Sequence, residues 1–216
     1  MTDLRLDRLQ SCYTSVLHDV MRAMGLRNFT LPPRIRPLNP EGVLTGPAFT
    51  IEGRIVEGAD AHQTLLEWTG LLSKCPAGHV WVAQPNSQIV AQMGELSAET
   101  LHRKGVLGVV TDGALRDTSF ILKLGLPCWG THYTPRDVVG LWLPTAIGET
   151  IRIEDVTVNP GDWVHGDRDG MVVIPAAHLD EVIEKGVIAM ATESKVRSAI
   201  LDGMDPQAAY LKYGKF

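Results

Sequence analysis

The stretch from Gly94 to Asp117, GELSAETLHRKGVLGVVTDGALRD, restricts the possible folds of this chain more than any other. It starts with Gly94-Glu95, continues through helix-forming residues to a break at Gly105, and enters the apolar run Val106-Leu107-Gly108-Val109-Val110. It closes on Arg116-Asp117. A ten-residue helix rises roughly 15 Å, and a six-residue strand returns roughly 20 Å. A crossover helix and the parallel strand after it run in opposite directions, so Glu95 and Arg116-Asp117 are predicted at one edge of a sheet. Open α/β sheets bind ligands at that edge, outside the carboxyl ends of their strands. Two carboxylates, a guanidinium and a helix N-terminus with unpaired N–H groups would meet there. The set suits a small anionic substrate and a hard divalent metal.

The flanking sequence supplies the rest of such a sheet. Residues 4–25 place Leu9, Tyr13, Val16, Leu17, Val20, Met21 and Met24 at helical spacing and end at Gly25, which predicts one N-terminal helix. A proline-rich connector from Leu31 leads to a strand at Gly46–Ile51, an amphipathic helix over 59–74, and a strand at His79–Ala83. From 79 to 129 the pattern is β-α-β-α-β, with parallel strands joined by crossover helices. Residues 151–175 hold short apolar runs separated by Asn159-Pro160-Gly161-Asp162 and Asp167-Arg168-Asp169-Gly170, predicting antiparallel hairpins. Helices are predicted across 176–213, the last opening on Asp205-Pro206. With no internal repeat, residues 1–216 are expected to form one α/β domain.

Composition narrows the function classes. A net charge of −5 gives no basic footprint, which disfavours nucleic-acid binding. The apolar runs are shorter than a membrane span and the N-terminus has no signal-peptide pattern, so a cytoplasmic protein is expected. Cys12, Cys75 and Cys128 are odd in number and widely spaced, as expected of reduced thiols rather than a disulfide framework.

The sequence resembles the RraA-like family, which includes the 4-hydroxy-4-methyl-2-oxoglutarate / 4-carboxy-4-hydroxy-2-oxoadipate aldolases. The likeness runs in order through Ile35-Arg36-Pro37-Leu38, Gly46-Pro47-Ala48-Phe49-Thr50, Gly94-Glu95-Leu96 and Gly105–Asp117. It continues through Pro160–Val164, Asp167–Pro175 and the closing Tyr210–Phe216. The resemblance implies a three-layer β/β/α swivelling-type domain, assembled as a homotrimer or homohexamer with sites between subunits. It also implies that Arg116 binds the oxo-acid end of the substrate and that Asp117 holds Mg2+ or Mn2+. Glu95 would support the metal through water, and the backbone N–H groups of Gly94, Glu95, Leu96 and Ser97 would receive the pyruvate carboxylate. Glu193 of a neighbouring subunit is the matching late acid. The chain departs from the family pattern at Phe120, where an acid is usual, at His18, where serine precedes the aspartate, and at His79.

Each residue also has a plainer reading. Arg116 could form a structural ion pair with Asp112, and Asp117 could simply cap the helix after it. Glu95 could be a favourable first-turn charge. Asp167 and Asp169 lack the remaining ligands of a calcium loop and are read as a hairpin turn. The second Arg-Asp pair, Arg136-Asp137, lacks the preceding helix and strand and is read as a loop. His18, His62 and His132 have no reason in the sequence to meet, and the five tryptophans are read as core or subunit contact.

The function expected is a divalent-metal-dependent lyase that cleaves a 4-hydroxy-2-oxo acid to pyruvate and a second carbonyl compound, with oxaloacetate decarboxylation as a side activity. Two alternatives stay open. One is a non-catalytic regulator binding a ribonuclease; the other is a lyase or isomerase acting on a sugar-derived keto acid.

Overall fold

A computed structural model describes residues 4–215. The chain opens with helices α1 (Leu4–Gln10) and α2 (Thr14–Ala23), then strands β1 (Arg36–Pro37) and β2 (Leu44–Ile55), helix α3 (Ala61–Lys74) and strand β3 (Val80–Gln84). Next come α4 (Glu95–Arg103), β4 (Gly108–Thr111), β5 (Ala114–Leu115), α5 (Thr118–Leu124), β6 (Cys128–Gly130), β7 (His132–Tyr133) and β8 (Trp142–Ile147). The last third holds β9 (Ile151–Ile153), β10 (Val156–Val158), β11 (Trp163–Gly166), β12 (Met171–Ile174), a 3-10 turn at Ala176–His178, α6 (Leu179–Leu201) and α7 (Pro206–Tyr213).

Strands β2, β3, β4 and β6 lie side by side and parallel, in chain order, joined through α3, α4 and α5. The expected β-α-β-α-β unit is therefore present. Alternate residues of each strand enter different cores, as the pleat requires. Trp81, Ala83 and Val109 pack with Trp68, Leu71, Leu101 and Ile121 of the helices. Val80, Val82 and Val110 pack on the opposite face with Ile151, Ile153, Val156 and Val158 of the β9–β10 hairpin. Helices, sheet and hairpin make the three layers.

Strand β2 joins two sheets. Its first residues, Leu44–Pro47, pair antiparallel with β11, and Ala48–Glu52 pair parallel with β3. Its far end pairs antiparallel with β8, with a register shift at Glu52/Gly53. Gly53 sits so close to Trp142 that an added Cβ would lie 1.9 Å from the indole. The β11–β12 hairpin carries Trp163, Val172 and Ile174 into a third cluster with α1, α2 and α6.

The N-terminal helix differs from expectation. It is two helices, broken at Ser11–Tyr13, because α2 takes its N-terminal cap from a distant loop. Asp167 accepts the Thr14 N–H at 2.8 Å and the Thr14 hydroxyl at 2.6 Å. Hydrophobic period alone cannot register such a cap, since its partner lies in the β11–β12 turn. The expected strand at 46–51 is longer, and the strand expected from Val106 starts at Gly108. Cys12, Cys75 and Cys128 are free and buried. Among the described residues no helix is long and apolar enough to cross a membrane.

Candidate active site

Helix α4 ends in a Schellman turn. Gly105 has φ +78°, the Val106 N–H reaches Leu101 O at 3.0 Å, and the Gly105 N–H reaches His102 O at 3.0 Å. That turn feeds β4, which returns the chain to the edge where α4 began. Beyond β4 the short strand β5 runs beside the segment that leads into α4. The Gln92 N–H donates to Ala114 O at 2.8 Å and the Arg116 N–H to Met93 O at 2.9 Å. These two bonds set Arg116 against Gly94.

Asp117 then adopts φ 52°, ψ 33°, in the left-handed region. Aspartate enters that region more readily than most residues, at a cost of about 1 kcal/mol or more. The twist turns the chain into α5, and Asp117 occupies the N-cap position of that helix without capping it by its side chain. Its Oδ2 instead accepts the Glu95 N–H, at 3.2 Å, at the start of α4. The plain capping reading of Asp117 therefore applies to the wrong helix. Any side chain at Gly94 would displace this pair: a Cβ there would meet Asp117 Oδ2 at 2.7 Å and Arg116 Nε at 2.9 Å.

Arg116 is not tied to Asp112. That carboxylate is held bidentately by Arg34, at 2.7 and 2.8 Å. The Arg116 guanidinium lies 3.5 Å from Asp117 through Nε and 3.5 Å from Asp137 through Nη1. Charge-assisted N–H···O bonds are normally about 2.7–2.9 Å. The three side chains are 37–43% exposed. Arg116 thus sits between two carboxylates without being committed to either, and keeps a fork suited to a planar anion.

The other predicted residues are placed as follows. Leu96 and Ser97 contribute first-turn amides ahead of the first intrahelical bond, Ala98 N–H to Gly94 O at 2.9 Å. These amides lack helical acceptors and face the favourable end of the helix dipole for an anion. The Ser97 hydroxyl is already used, accepting Trp68 Nε1–H at 3.0 Å. The Leu96 side chain is 77% exposed. Glu193 is elsewhere on its own chain, on α6, where it pairs with the Tyr13 hydroxyl and with Lys215 Nζ at 2.6 Å. Phe120, half exposed on the first turn of α5, puts an aromatic ring close in sequence to Arg116 and Asp117. His18, on α2, touches Phe29 and Asp19; His62 is on α3 and His132 on β7, so the three belong to separate elements.

Two residues near this edge escaped the sequence reading. Asp137 is one; the repeated Arg-Asp was a signal, but only the parallel pairing of β5 with β7 brings the second copy beside the first. Gln92 is the other. It is fully buried, and neither its carboxamide nor the Thr111 hydroxyl has a partner among the described residues. Gln92 Cγ, at 3.1 Å, and Thr111 Oγ1, at 3.2 Å, crowd the place a Cβ on Gly113 would take. Gln92 looks like part of a polar loop in the sequence, which hides its burial.

Among the described residues no group of three or more His, Cys, Asp or Glu is placed to hold an ion. Glu95 and Asp117 offer hard oxygens, one carboxylate each. That suits Mg2+ or Mn2+ with most of its water retained, and does not suit a dehydrated structural metal. A cleft of about 700 Å³ beside Lys195, Ser198, Asp202 and Lys212 lies between α6 and α7 and includes none of these residues.

Comparison with known proteins adds relatives to this geometry. Residues 14–173 match the model of the RraA-like family, described as Aldolase/RraA. Protein DlpA of Legionella pneumophila is 28% identical over 96% of this chain, and the chain spans only 33% of its length. A Halalkalibacterium halodurans protein named "Putative 4-hydroxy-4-methyl-2-oxoglutarate aldolase" is 28% identical over 87% of this chain and 85% of its own. The crystal structure of RraAS2 from Streptomyces coelicolor, described as an unusual member of the RNase ES inhibitor RraA protein family, superposes with a TM-score of 0.80. It has 27% identity over 92% of this chain and 99% of that one.

Proposed function

The chain belongs to the RraA-like family, and from that premise we propose that it is a divalent-metal-dependent lyase releasing pyruvate from a 4-hydroxy-2-oxo acid. The observation that carries this reading is the uncommitted guanidinium of Arg116, held at an α-helix N-terminus between Asp117 and Asp137. A structural arginine in the same molecule, Arg34, is bound at 2.7–2.8 Å instead.

In this reading the α4 amides of Leu96 and Ser97 bind the oxo-acid end of the substrate together with Arg116, the Glu95 N–H being taken by Asp117 rather than left for the substrate as expected, and Asp117, with Glu95 through water, holds Mg2+ or Mn2+. A bound divalent ion would supply Lewis-acid stabilisation of charge on the substrate oxygens. When the C3–C4 bond breaks, its electron pair moves into the pyruvate enolate. The C4 hydroxyl becomes the carbonyl of the second product and its proton leaves to water, which the half-exposed carboxylates keep in reach. Arg116 is placed to stabilise the enolate oxygen as its charge develops. Protonation at C3 then yields pyruvate. Oxaloacetate decarboxylation reaches the same enolate without removing a C4 proton, so it is the expected side activity.

The test is a pyruvate-coupled assay of 4-hydroxy-2-oxo acids and oxaloacetate, with and without Mg2+. Asp117→Ala and chelation by EDTA should each abolish pyruvate release; full turnover under both would end the metal-dependent reading. The similarity to RraAS2 supports a second reading, in which the chain binds a ribonuclease without catalysis. Ribonuclease binding together with no pyruvate from any member of the panel would favour it.

A further inference from the structure

Asp137 lies on the loop after β7, and its two carboxylate oxygens have separate tasks. Oδ1 accepts the Val139 N–H at 3.2 Å, which closes the local turn and fixes the side chain without help from Arg116. Oδ2 stands 3.5 Å from Arg116 Nη1, outside charge-assisted hydrogen-bond range. The residue therefore adds a negative charge beside the guanidinium while leaving its N–H groups free.

Glu95 and Asp117 are part of the same small surface, through the bond from the Glu95 N–H to Asp117. Two carboxylates, those of Asp117 and Asp137, thus share it with a single guanidinium. A site meant only to bind an anion would not carry this excess of negative charge. Arg136, next to Asp137, is exposed, so water and salt screen its charge.

Resting on the 2-oxo-acid reading above, we propose that Asp137 is a specificity-determining residue that makes binding of the oxo-acid anion conditional on a divalent cation. The acidic set attracts the cation and repels a free anion. Once a cation offsets the carboxylates, Arg116 and the α4 amides can receive the anion. Binding is ordered, cation before oxo acid. Because Asp137 is 43% exposed, its charge is screened and its effect is modest.

The experiment is calorimetric titration with Mg2+ alone, pyruvate alone, and pyruvate in saturating Mg2+. It uses the wild-type chain, Asp137→Asn, and Asp137→Ser as a second variant that also offers Val139 an acceptor. Removing the charge should weaken Mg2+ binding and tighten cation-free pyruvate binding, each by about five-fold, the weight of an exposed charge pair of about 1 kcal/mol. A merely structural role would weaken both together. Changes of the same sign, or no change in either titration, would overturn the role of Asp137 alone. Failure of the wild-type chain to bind pyruvate even in saturating Mg2+ would overturn the 2-oxo-acid reading, and this proposal with it.

Discussion

Gly94 is the residue on which the proposed site depends most tightly. Its φ of −139° is ordinary extended backbone, so alanine is allowed there conformationally. The obstacle is space, since a methyl would press on Asp117 and Arg116. Gly94→Ala should lower kcat/KM for pyruvate release at least ten-fold while moving Tm by only a few degrees, a split read by the coupled assay and thermal unfolding. His165 allows a prediction of a different kind. Burial on β11 pushes its pKa down to about 4, against the favourable charge of Asp167, while Nδ1 stays 2.8 Å from the Thr45 hydroxyl. The unfolded chain takes up this proton near pH 6.5 and the folded one only near pH 4, so stability falls as pH drops through that window. The loss is on the order of 3 kcal/mol. Burial raises the Asp167 pKa, but bonds from Thr14 and Asp169 outweigh it and hold it below 3.8, so its own contribution is lost only at lower pH. Urea unfolding at pH 7, 5.5 and 4.5 should show the slope in wild type and a flatter one in His165→Gln.

At the scale of elements, the parallel unit could be read from the sequence and the N-terminal break could not. Apolar runs, the Gly105 stop and the Arg-Asp turn are local, and each determined its element without help from distant chain. The cap on α2 comes from Asp167, far away in sequence, so the apolar period ran unbroken across Ser11–Tyr13. Asp137 was missed for the same reason: its neighbour Arg116 comes from another strand, through the β5–β7 pairing. Gly94, Glu95, Arg116 and Asp117 can be brought together from the sequence because one helix and one strand suffice to join them. Removing the remote cap should be costly. Asp167→Ala loses bonds to Thr14 and Asp169 and should cost about 1–3 kcal/mol by denaturant unfolding. Asp169→Ala gives up only a 3.4 Å contact from Ser15 and should stay within about 0.5 kcal/mol.

For the molecule as a whole, the apolar surface near the candidate site bears on assembly. Leu96 is 77% exposed, Phe120 49% and Leu122 48%, on the helices α4 and α5 that carry the site. Large apolar side chains left open on neighbouring helices are the raw material of subunit contacts. A homotrimer or homohexamer is the assembly expected, and light scattering after size exclusion should show it, with Leu96→Asp or Phe120→Asp shifting mass toward the single chain. Glu193 also bears on assembly, because within its own chain it already holds Tyr13 and Lys215. To serve a neighbour's metal it would have to leave both, so the C-terminal segment would have to rearrange.

Strand β2 is the one piece of backbone hydrogen-bonded to β3, β8 and β11 at once. Neither sheet can come apart alone without first stripping amides from that shared beam. Slow solvent exchange should therefore concentrate at Ala48–Ile51, and the rim bearing Arg116 can breathe while the beam stays shut.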